Sequence, residues 1–283
     1  MRRLRYISKV LRVLPPETPG KARLSRHVLG SSLEARNIIV NGRDGTKFLV
    51  PSFHEPIGFY LLVDGVYEQK AINFVLERLK PGSVFIDIGA NIGVYTIPAA
   101  LKVGPTGAVI AIEPSPRIFP FLEQNAFLNG LSNARLIQCA AYNSDEQTVP
   151  FYEAPVDHFG MGSLGTQFDA EPIPVLTHTL DYLVGEQMLG RIDVIKVDVE
   201  GFEAAVFQGA EKVLTVNKPP VVVFEFCDWA EGRVPGEQVG NAQRALREWK
   251  YDIWRLNDLL RGKPPLTDVL TSGFETLVAM KNS

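Results

Sequence analysis

The run Val84-Phe85-Ile86-Asp87-Ile88, followed by Gly89-Ala90-Asn91-Ile92-Gly93, limits the folds open to this chain more than any other stretch. Its apolar residues are continuous rather than alternating, which predicts a parallel strand buried on both faces. Gly89 and Gly93 predict a sharp turn with close backbone approach to a ligand, and the residues from Val94 onward a helix. Open α/β sheets bind ligands at such junctions, along the carboxyl edge. The Gly-x-x-x-Gly spacing by itself is a weak signal, and an ordinary tight turn is the alternative to it. A second apolar run, Ala108–Ile112, ends in Glu113-Pro114. Glu113 follows the glycines by about twenty residues, where a nucleotide-binding α/β unit places an acid for the ribose hydroxyls. A dehydrogenase fingerprint would carry glycine at position 91, where this chain has Asn91.

A third apolar stretch is more unusual. Ile192-Asp193-Val194-Ile195-Lys196-Val197-Asp198-Val199-Glu200-Gly201-Phe202-Glu203 predicts a central strand that carries Lys196, Asp198 and Glu200. Unpaired charges are costly to bury, so these three predict either mutual pairing or a polar cluster at the strand's carboxyl end, opposite the glycine turn.

The remaining segments fill in an alternating α/β chain. In residues 1–27, Arg2, Arg3, Arg5, Lys9, Arg12, Lys21, Arg23 and Arg26 are opposed only by Glu17, while Leu4, Ile7, Val10, Leu11 and Leu14 recur at helical spacing. This predicts a basic amphipathic helix stopped by Pro15-Pro16. It would either make peripheral contact with an anionic membrane or pack on the domain with its basic face in water. A second helix is expected over Lys21–Ser31, then a hairpin over Asn37–Val40 and Thr46–Val50. Further helices are expected from Tyr67, over Pro116–Leu128, from Thr179 as N-cap, over Ala204–Leu214 and over Asn241–Lys250. Strands are expected over Arg135–Ala140, Val149–Glu153, Val175–Thr179, Pro220–Phe226, Tyr251–Leu256 and Phe274–Met280. The glycine-rich run Phe159–Gly165 has the composition of a substrate lid or of a plain surface loop. The expected division is a basic extension with helix and hairpin at 1–60 and a catalytic domain at 61–283.

The chain has 283 residues, 46% of them hydrophobic, and a net charge of −3, which gives no reason to expect a polyanionic partner. Cys139 and Cys227 lie in or beside apolar runs and are read as buried thiols of a reducing compartment. No run approaches the ~18 apolar residues of a membrane span, and no signal-peptide pattern is present. The expected location is cytoplasmic.

Phe85–Gly93 with Ile112-Glu113-Pro114, and above all Ile195-Lys196-Val197-Asp198-Val199-Glu200-Gly201-Phe202-Glu203, resemble the FkbM family of class I S-adenosylmethionine-dependent methyltransferases. Gly65-x-Tyr67-Glu68 resembles a short acidic signature of the same family. The likeness covers roughly residues 60 to 280. Family members often carry His where Phe202 stands here. The resemblance implies a Rossmann-like class I methyltransferase fold. Its seven-stranded, mostly parallel sheet would run in the order 3-2-1-4-5-7-6, with strand 7 antiparallel and helices on both faces. It implies S-adenosyl-L-methionine as cofactor, held by Asp87, Gly89, Asn91, Gly93, Glu113, Pro114, Ala141 and Asp198. The methyl acceptor would be a hydroxyl on a sugar, a polyketide or another secondary metabolite.

An alcohol oxygen needs a group to take its proton as the new bond forms. Asp198, Glu200 and His158 are the candidates, with His54 behind them. Asp198, Glu200 and Glu225 are also candidate oxygen ligands for a divalent ion, but three acids on strands do not define ligand geometry and no metal is expected. Two other functions stay open. A nucleic-acid methyltransferase lacks support from any basic patch in the domain or from an Asn/Asp-Pro-Pro-Tyr signature. A catalytically silent cofactor-binding module is the third reading.

Overall fold

The structure is a computed structural model that describes residues 2–16, 18–166, 170–187 and 190–281, with side chains described from residue 6 onward. The chain opens with two helices, α1 (Arg2–Leu11) and α2 (Lys21–Leu29). The turn chemistry of Asn41–Gly45 then joins β1 (Arg36–Asn41) antiparallel to β2 (Lys47–Ser52). Two more helices follow, α3 (Pro56–Val63) and α4 (Gln69–Arg78).

Three parallel strands come next: β3 (Val84–Ile88), β4 (Ala108–Ile112) and β5 (Ala134–Ile137). They are linked through α5 (Thr96–Val103) and α6 (Phe119–Leu128). The expected third strand stops short at Ile137. After a bend at Cys139, β6 (Ala140–Ala141) leaves the main sheet and pairs with β8 (Ile173–His178), which also pairs with β7 (Thr148–Phe151).

Helix α7 (Leu180–Glu186) starts at Thr179, whose side chain accepts from the Tyr182 amide. The sheet resumes with β9 (Val194–Val197) and β10 (Val221–Cys227), and β11 (Asp252–Arg255) and β12 (Phe274–Met280) complete it. The single helix expected over Ala204–Leu214 is two: α8 (Glu203–Gln208) and the short α9 (Glu211–Thr215). They break at Gly209, where a Cβ would lie 2.1 Å from the Tyr142 carbonyl oxygen.

The seven-stranded sheet runs β5-β4-β3-β9-β10-β12-β11, with β12 antiparallel to both neighbours. This is the implied order 3-2-1-4-5-7-6. Continuous apolar strands suit it, because both faces are covered. One face packs Ile86, Ile110, Ile195 and Phe224 against α8 and its neighbours. The other packs Phe85, Val109, Val194 and Val223 in one cluster with Leu11, Leu29, Phe48, Phe53 and Phe59.

The first sixty residues therefore share the core of the sheet rather than standing apart from it, and the expected boundary at 60/61 falls inside α3. Asn125 of α6, fully buried, fastens the two parts together. Its Nδ2 donates to the carbonyls of Ile92 and Leu49, and its Oδ1 accepts from the Leu49 amide.

Candidate active site

The glycine turn takes its shape from the strands on either side of it. Gly89 has φ +74°, and a Cβ there would sit 1.8 Å from the carbonyl oxygen of Asp198. Only glycine lets the ends of β3 and β9 approach this closely. The Asp198 amide in turn donates to the Ile88 carbonyl at 3.1 Å, and the Gly89 and Ala90 amides donate to Ile112 at 3.0 Å. Asn91 takes φ +50°. Its amide donates to Glu113 Oε2 at 2.9 Å, while Ser115 donates to Oε1 at 2.9 Å. Glu113 is thereby held at the end of β4, 6% exposed, and burial pushes its carboxyl up to about 7. Each of its oxygens keeps a lone pair for a further donor.

These elements border a cavity of about 510 Å³ along the carboxyl edge of β3, β4, β9 and β10. That is an ordinary size for a site that encloses a small molecule. Gly89, Asn91, Glu113, Pro114, Ala141, His158, Asp198 and Glu200, all expected from the sequence, line it, as do His54 and Glu225.

The structure places Asp87 and Gly93 beneath the wall rather than on it. Asp87 is 1% exposed and accepts from Thr96 Oγ1 at 2.5 Å. Gly93 faces Leu122 and Ile97 where helix meets strand. Between Asp87 and the cavity stands Lys196. Its Nζ is 3.1 Å from Asp198 Oδ2, 4.0 Å from Asp87 Oδ1 and 3.3 Å from the Gly89 carbonyl, with the Tyr95 ring 5.1 Å away. Burial alone would lower the Lys196 pKa, but Asp198, Asp87 and Glu68 together raise it, so the ammonium stays charged. Of the two expectations for the charged strand, Lys196 is paired, and both members of the pair line the cavity at the strand's carboxyl end.

Opposite the glycine turn, the wall is acidic. Glu68, in the left-handed region with φ +45°, accepts from the Tyr95 hydroxyl at 2.6 Å. Glu200 lies in a second left-handed turn with φ +53°, and burial followed by the Asp198 charge lifts its carboxyl to about 8. Glu225, at the end of β10, is raised well above the ordinary value, chiefly by burial. Ligand oxygens of Asp198, Glu200 and Glu225 come within 4.8 Å of one another, which is compatible with a divalent cation, whereas no metal is expected from the sequence.

The glycine-rich run forms one side of the cavity and is tied to both halves. The Asn91 side chain donates to the Phe159 carbonyl at 3.3 Å, and the Ser163 hydroxyl to the Glu200 carbonyl at 3.0 Å. Phe202 is buried against Tyr142.

Glu55 was not visible in the sequence as a site residue. It sits on the cavity wall at 4% exposure, with Oε2 lacking any hydrogen-bond partner, and burial raises its carboxyl to about 7. Only a pairing of the 54–57 segment with the 158–160 turn, far apart in the chain, creates this environment. Lys196, Tyr95 and Glu68 as one network were likewise out of reach of spacing arguments.

A glycine turn and a ribose-type acid at the ends of the first two sheet strands, in this strand order, define a class I methyltransferase fold with its ligand cavity at the switch point. The methyltransferase FkbM domain matches residues 87–253, more than half of the chain. The chain belongs to that family. Fold and family together imply S-adenosyl-L-methionine as the cofactor.

Three relatives illustrate the similarity. Methyltransferase sdnD of Sordaria araneosa is 30% identical over 166 residues, covering 48% of this chain and 64% of its own. Hexuronic acid methyltransferase AglP of Haloferax volcanii is 27% identical over 147 residues, 52% of this chain and 58% of its own. The 31-O-demethyl-FK506 methyltransferase FkbM of Streptomyces tacrolimicus is 29% identical over 164 residues, 47% and 62%. The chain thus spans less than two thirds of each of these relatives.

Proposed function

We propose that this chain methylates a hydroxyl oxygen of a small molecule or glycan, using S-adenosyl-L-methionine. The observation that carries the reading is the division of one cavity into two unlike halves. On one side are the Gly89 turn and the backbone-held Glu113. On the other are Asp198, Glu200 and Glu225. The first half fits the cofactor: Gly89 brings bare backbone to the cavity, and Glu113 offers its spare lone pairs to the ribose hydroxyls. Ala141 is the small residue that would border adenine.

When bound, the cofactor supplies an electrophilic methyl group on a sulfonium that leaves readily. The protein's part is alignment, exclusion of water and removal of one proton. Asp198 takes the last role in this reading. Its Oδ2 is engaged by Lys196, which fixes the carboxylate and leaves Oδ1 to receive the acceptor's proton. Glu200 and His158 flank the same space. Lys196 already supplies a cation beside Asp198, so the reading calls for no metal.

The relatives named for hexuronic acid and 31-O-demethyl-FK506 support a small hydroxyl acceptor. A net charge of −3 and the lack of a basic patch in the domain sequence give no support to a nucleic-acid substrate. Calorimetry with S-adenosylmethionine, its demethylated product and NAD tests the cofactor. Binding of NAD in preference to the other two would end the reading. Incubation of protein and cofactor with cell extracts, followed by mass spectrometry, then looks for a product heavier by one methylene and lost with Asp198→Asn.

A further inference from the structure

The two N-terminal helices turn Ile7, Leu11, Ala22 and Leu29 toward the core, yet they also bury polar groups and leave other apolar side chains in water. On α1, the buried positions include Ser8 and Leu11, and the Ser8 hydroxyl donates to the Leu62 carbonyl of α3 at 2.6 Å. Arg12 follows with bonds to the Leu61 and Leu62 carbonyls. On α2, Lys21 and Ser25 are buried, with Lys21 paired to Asp64. What faces water instead is apolar: Tyr6 at 72%, Val10, Val13 at 81%, and Leu14 from α1 and its turn, with Leu24 and Val28 from α2. The spacing 6, 10, 13, 14 is a helical stripe, and 24, 28 is another.

Of the sixteen large hydrophobic side chains exposed among the described residues, these six fall between positions 6 and 28. Scattered surface hydrophobes need no partner, whereas a clustered set bought at the expense of burying Lys21 and Ser25 marks a contact face.

We propose that this face docks on an anionic lipid surface. Residues 1–29 carry eight Lys and Arg against Glu17 alone; Lys21 is spent on Asp64 and Arg12 on the carbonyls of α3, while Lys9, Arg23 and His27 are exposed beside the stripes. Apolar residues enter the interface while the cations meet acidic headgroups. A second copy of the chain fits less well, since a two-fold contact would press two such cationic segments together. The inference does not depend on the methyltransferase reading, because its test measures binding and not turnover.

The test is sedimentation of the full chain with vesicles of phosphatidylcholine and phosphatidylserine in equal parts, and with phosphatidylcholine alone. Co-sedimentation with the acidic vesicles at low salt, released at high salt, is expected. Val10→Ser/Val13→Ser/Leu24→Ser should weaken it about 10-fold or more while leaving the melting curve unchanged, since all three side chains face water. Lys9→Glu/Arg23→Glu should weaken it independently of those positions. No co-sedimentation at low salt, equal binding to neutral vesicles, or full binding by the triple variant overturns the proposal. So does a concentration-dependent dimer in sedimentation velocity that the triple variant abolishes.

Discussion

Lys196 Nζ lies 3.1 Å from Asp198 Oδ2, and the same nitrogen reaches Asp87 Oδ1 at 4.0 Å, so one ammonium joins the buried acid of β3 to the cavity acid that follows β9. Lys196→Met keeps the bulk of the side chain and removes that link. Asp87 would then stand fully buried, with its Oδ2 still accepting from Thr96 and its Oδ1 facing no cation. Removing one member of a buried pair costs about 3–5 kcal/mol. Urea unfolding of the variant should show a loss of this order, and a loss well below 1 kcal/mol would mean that the pair is not buried in solution.

The carboxyls that folding withdraws from water, three on the cavity wall and Glu203 behind it, predict an unusual dependence of stability on pH. Burial raises Glu55 and Glu113 to about 7, and Glu200 and Glu203 to about 8, from an ordinary 4.5. Between 4.5 and those values the folded chain holds protons that the unfolded chain has released. Stability conferred by these groups is therefore full below about pH 4.5, is lost as pH rises from there through 7 to 8, and levels off above. Each group contributes a slope of at most about 1.4 kcal/mol per pH unit. The unliganded protein should melt higher at mildly acidic than at mildly alkaline pH. A melting temperature that climbs steadily from pH 5 to 8 would contradict the burial of these acids.

Glu113→Gln probes the ribose half. The amide can still accept at one oxygen, but its NH₂ meets the Asn91 or the Ser115 N–H. Affinity for S-adenosylmethionine should drop by about 1–3 kcal/mol, and the unliganded protein should also melt lower, because a buried backbone donor is orphaned. Unchanged affinity in calorimetry would remove Glu113 from the cofactor site.

Asp198→Asn separates an enzyme from a cofactor-binding module. The amide preserves size and can still accept from Lys196, so cofactor affinity should hold while methyl transfer falls by ~10²–10⁴. Weaker cofactor binding with unaltered turnover at saturation would make Asp198 a binding residue and shift the proton-accepting role to His158.

The sheet was legible because its strands are local apolar runs of four to seven residues punctuated by Gly, Asn and Pro. The breaks were less so. The end of β5 and the interruption at Gly209 follow from contacts with Tyr142 and β8, which are distant in sequence. In the site, residues at strand ends (Asp198, Glu200, Glu113) could be anticipated, since strand ends converge on one edge. Glu55 could not, because its significance lies in a pairing with the 158–160 turn about a hundred residues away.

Local patterning by itself determined the alternation of strand and helix, the two positive-φ glycine positions that a turn requires at 89 and 93, and the placing of acids at strand ends. Tertiary structure alone decided which acids share one ammonium, which of them lie on the cavity wall and which beneath it, and which face of α1 meets the domain. The amphipathic pattern of α1 predicted either its apolar face on a membrane or its basic face in water. Packing set Ser8 and Leu11 against the domain, with Arg12 half-buried at the carbonyl end of α3, and left Lys9 in water but Val10 and Val13 outside as well. The reason is physical: unsatisfied carbonyls at a helix end need donors, and only the folded chain shows where such an end comes to lie.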